Sequence, residues 1–282
     1  MLRPYRSALY IPGSKQRALE KARDLACDAI IFDLEDAVTA EEKVTARTVL
    51  ADTLHNTDYG IRARIIRVNG LGTVWGRDDL AAFADHPGVD ALLIPKVNGP
   101  DDLEAVAVMA PGKPLWAMME TCAGMLNANA IAAHPALQGM VMGTNDLARE
   151  LGSRPRADRL PLQASLCLCL LAARAHGRII LDGVYNTFKD EAGLLAECVQ
   201  GRDLGFDGKT LIHPAQLAIA NAEFGPSAAE VSLALRQITA FEAATATGQG
   251  VAVVDGRIVE NLHITSAKAV LDMAQAIADR SV

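Results

Sequence analysis

Eight short apolar runs, each followed by a longer segment of helical periodicity, constrain this chain more than any other feature. The runs occupy 8–11, 29–33, 64–69, 91–95, 115–120, 139–143, 179–185 and 209–212. Helical patterns cover 15–26, 40–54, 78–84, 101–109, 123–132, 160–176 and 191–204, and a last one at 214–222 follows the eighth run. Strand–helix alternation makes neighbouring strands parallel, because each crossover helix carries the chain back to the starting edge. Eight such units predict closure into a (β/α)8 TIM barrel rather than an open doubly wound sheet. With 282 residues, half of them apolar, the chain can bury a core of that size.

Past about Gly225 the pattern changes. Pro226-Ser-Ala-Ala-Glu230 has the form of a helix start, and the helical pattern runs to about Ala244. The glycine-flanked segment 248–261 reads as a hairpin turning at Asp255-Gly256, and a final helix spans about 265–278. The expected division is therefore a barrel carrying the site at 1–225 and a helix-hairpin-helix extension at 226–282, acting as a lid or an oligomer contact.

Net charge is −7, from 27 basic and 34 acidic residues without a basic run, so a nucleic-acid surface is not expected. The five cysteines form no C-x-x-C pair and fall mostly in apolar stretches, which fits a reduced, cytoplasmic protein. No apolar stretch approaches the roughly 20 residues a membrane span needs, and the first residues lack a signal-like apolar region.

In a parallel barrel the C-terminal strand ends converge on one mouth. Here they carry Tyr10, Asp33, Glu35, Asp36, Arg67, Asn69, Lys96, Glu120, Asn145, Asp146, Tyr185 and His213. Glu120 and Asp146 end consecutive apolar runs, where a carboxylate must be paired, protonated or bound to a cation. Magnesium takes one or two protein carboxylates and keeps waters that substrate oxygens can displace, so this pair is the candidate metal seat. Helix capping by Glu120, or a pair with Arg67, is the structural alternative. Glu35 and Asp36 are assigned to holding waters or basic groups around the ion, and Asn145 to orienting Asp146 or binding substrate. The guanidinium of Arg67 suits a carboxylate or a developing oxyanion. Arg17 and Lys21 share one helical face and could grip phosphates at the rim. His213 has no serine or cysteine nearby in the sequence to form a triad.

The strings Leu9-Tyr-Ile-Pro-Gly13, Phe32-Asp-Leu-Glu-Asp-Ala-Val38, Arg67-Val-Asn-Gly70, Ile94-Pro-Lys-Val97, Met119-Glu120, Gly143-Thr-Asn-Asp-Leu147 and Gly208-Lys-Thr-Leu-Ile-His-Pro214 together resemble the citrate lyase beta subunit-like family. That family includes malyl-CoA lyases, citramalyl-CoA lyases and malyl-CoA thioesterases. The resemblance implies a barrel that binds magnesium and a CoA thioester, as a homotrimer or homohexamer. It makes Glu120 and Asp146 the magnesium ligands and sets Arg67 against the substrate. Tyr10, Arg17 and Lys21 fall at CoA-contacting positions, and Ile212 and His213 on a substrate-contacting segment.

Relatives also carry a catalytic aspartate in the tail, which reaches a neighbouring subunit's site. The corresponding stretch here is Gly256-Arg-Ile-Val-Glu-Asn-Leu262. The acid is Glu260, one methylene longer, and the proline that follows in relatives is absent. The leading expectation is a magnesium-dependent retro-Claisen lyase of a short dicarboxylic acyl-CoA, with Arg67 and Glu260 catalytic. The alternative is a (3S)-malyl-CoA thioesterase, in which the same site places water on the thioester. A citrate lyase beta-type subunit and a non-catalytic CoA-binding protein are the remaining readings.

Overall fold

The computed structural model describes residues 3–280. All eight apolar runs form strands: β1 (Ser7–Pro12), β2 (Ala29–Asp33), β3 (Ala63–Arg67), β4 (Ala91–Ile94), β5 (Leu115–Met119), β6 (Leu137–Met142), β7 (Ile179–Asp182) and β8 (Gly208–Leu211). They pair in sequence order, all parallel, and β1 closes on β8 with Ser7 opposite Lys209. The result is the expected (β/α)8 barrel. Strands such as β2 are buried at every position, because helices cover one face and the barrel interior fills the other.

The interior is filled by size matching. Ala8, Ala29 and Ala63 stand in register on β1, β2 and β3, and they share one buried cluster with Tyr5 and Trp116, whose ring centroids lie 5.2 Å apart. Three small side chains at one level leave the room that two aromatic rings occupy. Gly139 on β6 is required by the same ring: a Cβ there would approach Trp116 to 2.7 Å.

Between the strands run α1 (Gln16–Ala22), α2 (Lys43–Asn56), α3 (Gly76–Phe83), α4 (Pro100–Met109), α5 (Cys122–Leu126), α6 (Ala128–Ala132), α7 (Thr144–Glu150), α8 (Gln163–Ala175), α9 (Glu191–Leu204) and α10 (Leu217–Glu223). Some boundaries differ from the sequence reading. The helix expected at 123–132 breaks at Asn127, whose amide donates to the Asn98 carbonyl at 2.7 Å. The pattern at 160–176 begins as a 3-10 turn at Leu160–Leu162, and β7 stops at Asp182 rather than 185. There the Gly183 N–H turns to the Asp182 side chain at 2.8 Å instead of continuing the ladder. Helix α7 begins at Thr144, with Gly143 as its N-cap residue.

One compact unit spans Tyr5–Ala220, and a second begins at Asn221. Within the second, α11 (Ala228–Ala246) starts with a Ser227–Glu230 capping box. The hairpin of β9 (Ala252–Val254) and β10 (Arg257–Val259) turns at Asp255 and Gly256, both at positive φ, as a two-residue type I′ turn requires. The last helix, α12, covers Asn261–Ala278. Val259, Ile264, Ala244 and Ala252 form the small core of this unit. Among the described residues no helix is long and apolar enough to cross a membrane.

Candidate active site

A cavity of about 320 Å³ opens where the strands end, lined by Tyr10 from β1, Asp33 from β2, Arg67 from β3, Glu120 after β5, Asn145 and Asp146 from α7, and Ile212 after β8, among others. Six strands or the segments just after them therefore bring side chains to one space, as parallel closure demands.

Arg67 is the most constrained of them. Its Nε and Nη2 donate to the two oxygens of Asp33 at 2.7 and 2.5 Å, and Nη1 faces Glu35 Oε2 at 2.9 Å and Asp36 at 3.5 Å. Burial works against its charge, but Asp33, with Tyr10 and Glu35 behind it, holds the guanidinium protonated well above its ordinary range. The guanidinium also lies 5.0 Å from the Tyr10 ring centroid, a cation–π contact. Burial pushes the Tyr10 hydroxyl pKa well up, so the ring stays neutral. All three guanidinium nitrogens thus have an acidic partner, and the side chain lines the cavity.

Asp33 is the residue sequence reasoning undervalued. Besides Arg67, its carboxylate accepts from the backbone N–H groups of Glu35 and Ala37 at 2.8 and 3.0 Å. One acid thus fixes both the arginine and the turn that carries Glu35 and Asp36. Glu35 bridges Arg67 to Lys96, whose Nζ lies 2.5 Å from Glu35 Oε1. Asp36 is mostly exposed at the rim.

Glu120 is different. Only 2% exposed, it accepts one hydrogen bond, from the Lys96 backbone N–H at 2.8 Å. Among the described residues no basic side chain forms a salt bridge with it. Burial, then the charge of Glu35 and more weakly that of Asp146, pushes its pKa up to about 8, against the pull of the Lys96 N–H. It neither caps α5, which Thr121 does by accepting from Gly124 N–H at 3.0 Å, nor pairs with Arg67. Its carboxylate folds against Gly143: a Cβ on that glycine would sit 2.7 Å from Glu120 Oε2. Glycine at 143 keeps that space open for the carboxylate.

Asp146 sits in the first turn of α7, not at a strand end, and forms a surface-side ion pair with Arg149. Its carboxylate is 19% exposed on the cavity wall. Among the described residues no group of three or more His, Cys, Asp or Glu side chains could hold a metal ion. Glu120 and Asp146 both line this cavity, and magnesium takes one or two protein carboxylates while its other positions go to water and ligand oxygens. A buried carboxylate with one hydrogen bond and, among the described residues, no salt bridge, fits that demand.

Several other expected site residues lie apart. Arg17 and Lys21 are exposed on α1 and outside the cavity wall. Lys21 is in the last turn of the helix and, with Glu20, Arg23, Asp24 and Thr57, lines a separate depression. His213 stacks on Phe188 with centroids 4.6 Å apart, and its Nδ1 accepts from Ala215 N–H at 3.2 Å, so it orders the loop after β8. Asn69 is turned to Leu34 and Asp79. Asn145 exchanges two amide hydrogen bonds with Asn186, at 3.2 and 2.7 Å; Asn186, unmarked in the sequence, lines the cavity too. Glu260 is the N-cap of α12, exposed, with its backbone N–H donating to His263 Nδ1 at 3.0 Å.

Residues 6–214 match the model of the HpcH/HpaI aldolase/citrate lyase family. The chain is 70% identical over 275 residues to a (3S)-malyl-CoA thioesterase of Cereibacter sphaeroides, covering 98% of this chain and 96% of that one. It is 31% identical to an L-malyl-CoA/beta-methylmalyl-CoA lyase of the same species, over 98% and 96% of the two chains. The crystal structure of the CitE protein of Mycobacterium tuberculosis with magnesium, acetoacetate and coenzyme A matches at TM-score 0.82 and 29% identity, covering 97% of this chain and all of that one. A matched family model over most of the chain, full-length relatives and a shared barrel agree: the chain belongs to the HpcH/HpaI aldolase/citrate lyase family.

Proposed function

We propose that this protein is a magnesium-dependent (3S)-malyl-CoA thioesterase, hydrolysing its substrate to malate and CoA. One observation carries the choice between hydrolysis and carbon–carbon cleavage: over nearly its whole length the chain is 70% identical to a thioesterase and 31% identical to a lyase of the same species. Lyase chemistry, the leading expectation from sequence, gives way to its alternative.

Glu120 and Asp146 are the residues that would hold the ion. When bound, magnesium supplies Lewis acidity and a template for the hydroxy-acid end of the substrate. Arg67, immobilised by Asp33, directs its remaining N–H donors at the thioester carbonyl, where negative charge develops as water adds. Because Asp33 and Glu35 already fix the guanidinium, little reorganisation is needed at that moment. Tyr10 packs against the guanidinium and offers a neutral hydroxyl to the cavity, which Asn145 and Asn186 also line with amide groups. Glu260 is assigned the proton from the attacking water, and its extra methylene relative to aspartate alters its reach by about 1 Å.

Arg17 and Lys21 are assigned to the phosphates of CoA, and Ile212 and His213 to the loop that contacts the substrate. The segment 226–282 is assigned to a lid and oligomer contact, with a homotrimer or homohexamer as the working assembly in which Glu260 serves a neighbouring copy. A cytoplasmic setting is supported by five cysteines that are all free. Thiol release from (3S)-malyl-CoA tests the assignment: it should require magnesium and fall to background in both Glu120→Ala and Asp146→Ala. Metal-dependent turnover retained in both variants would refute it.

A further inference from the structure

Lys96 lies outside the cavity wall, yet it is one of three non-glycine residues with left-handed φ among those described, at 51°. For a lysine that conformation is unfavourable and persists only where the surroundings enforce it. Here it does two things at once. It aims the backbone N–H at Glu120 Oε1, 2.8 Å away, and it sends the side chain to Glu35, with Nζ 2.5 Å from Oε1.

Glu35 and Glu120 are both buried, at 8% and 2% exposure, and close enough for their charges to disturb each other. Glu35 has one other cationic partner, Arg67 Nη1 at 2.9 Å, but that guanidinium is already bound two-handed by Asp33. Without the Lys96 ammonium, Glu35 would be a weakly held anion beside a cation seat.

We propose that Lys96 is a positioning residue: its ammonium holds Glu35 away from the cation seat while its backbone N–H holds Glu120 in it, so that a divalent ion meets two protein carboxylates rather than three. This rests on the metal-dependent reading above. A third carboxylate would tighten binding but lower the Lewis acidity of the ion and take a position that water or substrate needs.

The test is magnesium binding measured by calorimetry, with turnover read separately. Lys96→Met keeps the backbone N–H and removes the ammonium. It should bind magnesium about tenfold more tightly, as expected from losing one nearby positive charge and freeing one carboxylate, while kcat falls. Lys96→Arg should restore wild-type affinity, and Lys96→Met in a Glu35→Gln background should tighten binding much less, since no carboxylate is freed there. A general structural defect would weaken binding and turnover together. Unchanged or weaker magnesium binding in Lys96→Met would overturn the proposal. Should that variant fail to fold, Glu35→Gln alone decides: near wild-type affinity is expected, and a loss of about tenfold or more would show Glu35 to be a ligand already. A wild-type protein that binds no magnesium would instead strike the proposed function.

Discussion

Five acids meet at the barrel mouth, and their partners separate their roles. Asp33 and Glu35 are neutralised by Arg67 and Lys96, Asp36 is exposed to water and Asp146 pairs with Arg149, whereas Glu120 is buried with one backbone hydrogen bond. The raised pKa of Glu120, from 4.5 to about 8, has a definite sign for stability. Between those values the folded protein holds a proton that the unfolded chain has lost, so without metal, stability falls as pH rises through the window. Glu35, shifted up by burial, acts in the same direction. A cation in the seat removes that penalty, and below about pH 8 it must first displace the proton. Magnesium should therefore raise the melting temperature more at pH 8 than at pH 6; an equal or smaller rise at pH 8, by scanning calorimetry, would contradict the assignment. The acids themselves were legible in the sequence, because apolar strands ending in carboxylates are conspicuous. Their pairing was not: which of Asp33, Glu35 and Asp36 binds Arg67 depends on the turn after β2, folded by backbone bonds to the Asp33 side chain.

At the scale of elements, β7, β8, α9 and the loop before α8 are tied by charges inside the fold. Lys209, fully buried on β8, reaches the Gly183 carbonyl at 2.5 Å, Glu197 on α9 at 2.6 Å and Asp182 on β7 at 3.2 Å. Arg159 adds two contacts to Asp182, at 2.7 and 2.8 Å. Burial opposes the Asp182 charge, but Lys209 and Arg159 outweigh it and hold its pKa below the ordinary value. Removing one partner of such a network strands the others. Lys209→Met should lower unfolding stability by about 3–5 kcal/mol in denaturant titrations, and a change under about 1 kcal/mol would show that the remaining groups re-pair. Periodicity in the sequence located β8 but hid this network, since Arg159, Asp182, Glu197 and Lys209 are spread over some fifty residues and share no local pattern. Element ends were misjudged for a related reason. Asn127, Gly143 and Asp182 end or start elements through hydrogen bonds to distant or adjacent groups that apolar spacing does not record.

For the whole molecule, strand–helix alternation was enough to predict a closed barrel, because eight parallel units have few other ways to bury both faces of every strand. The bond that breaks was not legible there. On the proposed reading the same barrel, metal seat and arginine would serve hydrolysis or carbon–carbon cleavage, and the difference would lie in where water and a base stand, which involves groups as remote as Glu260. Products settle it most directly. Purified protein given (3S)-malyl-CoA and magnesium, with free thiol and glyoxylate followed together, should release thiol without glyoxylate. Glyoxylate formed in step with substrate loss, with no excess thiol, would contradict a thioesterase and restore the lyase.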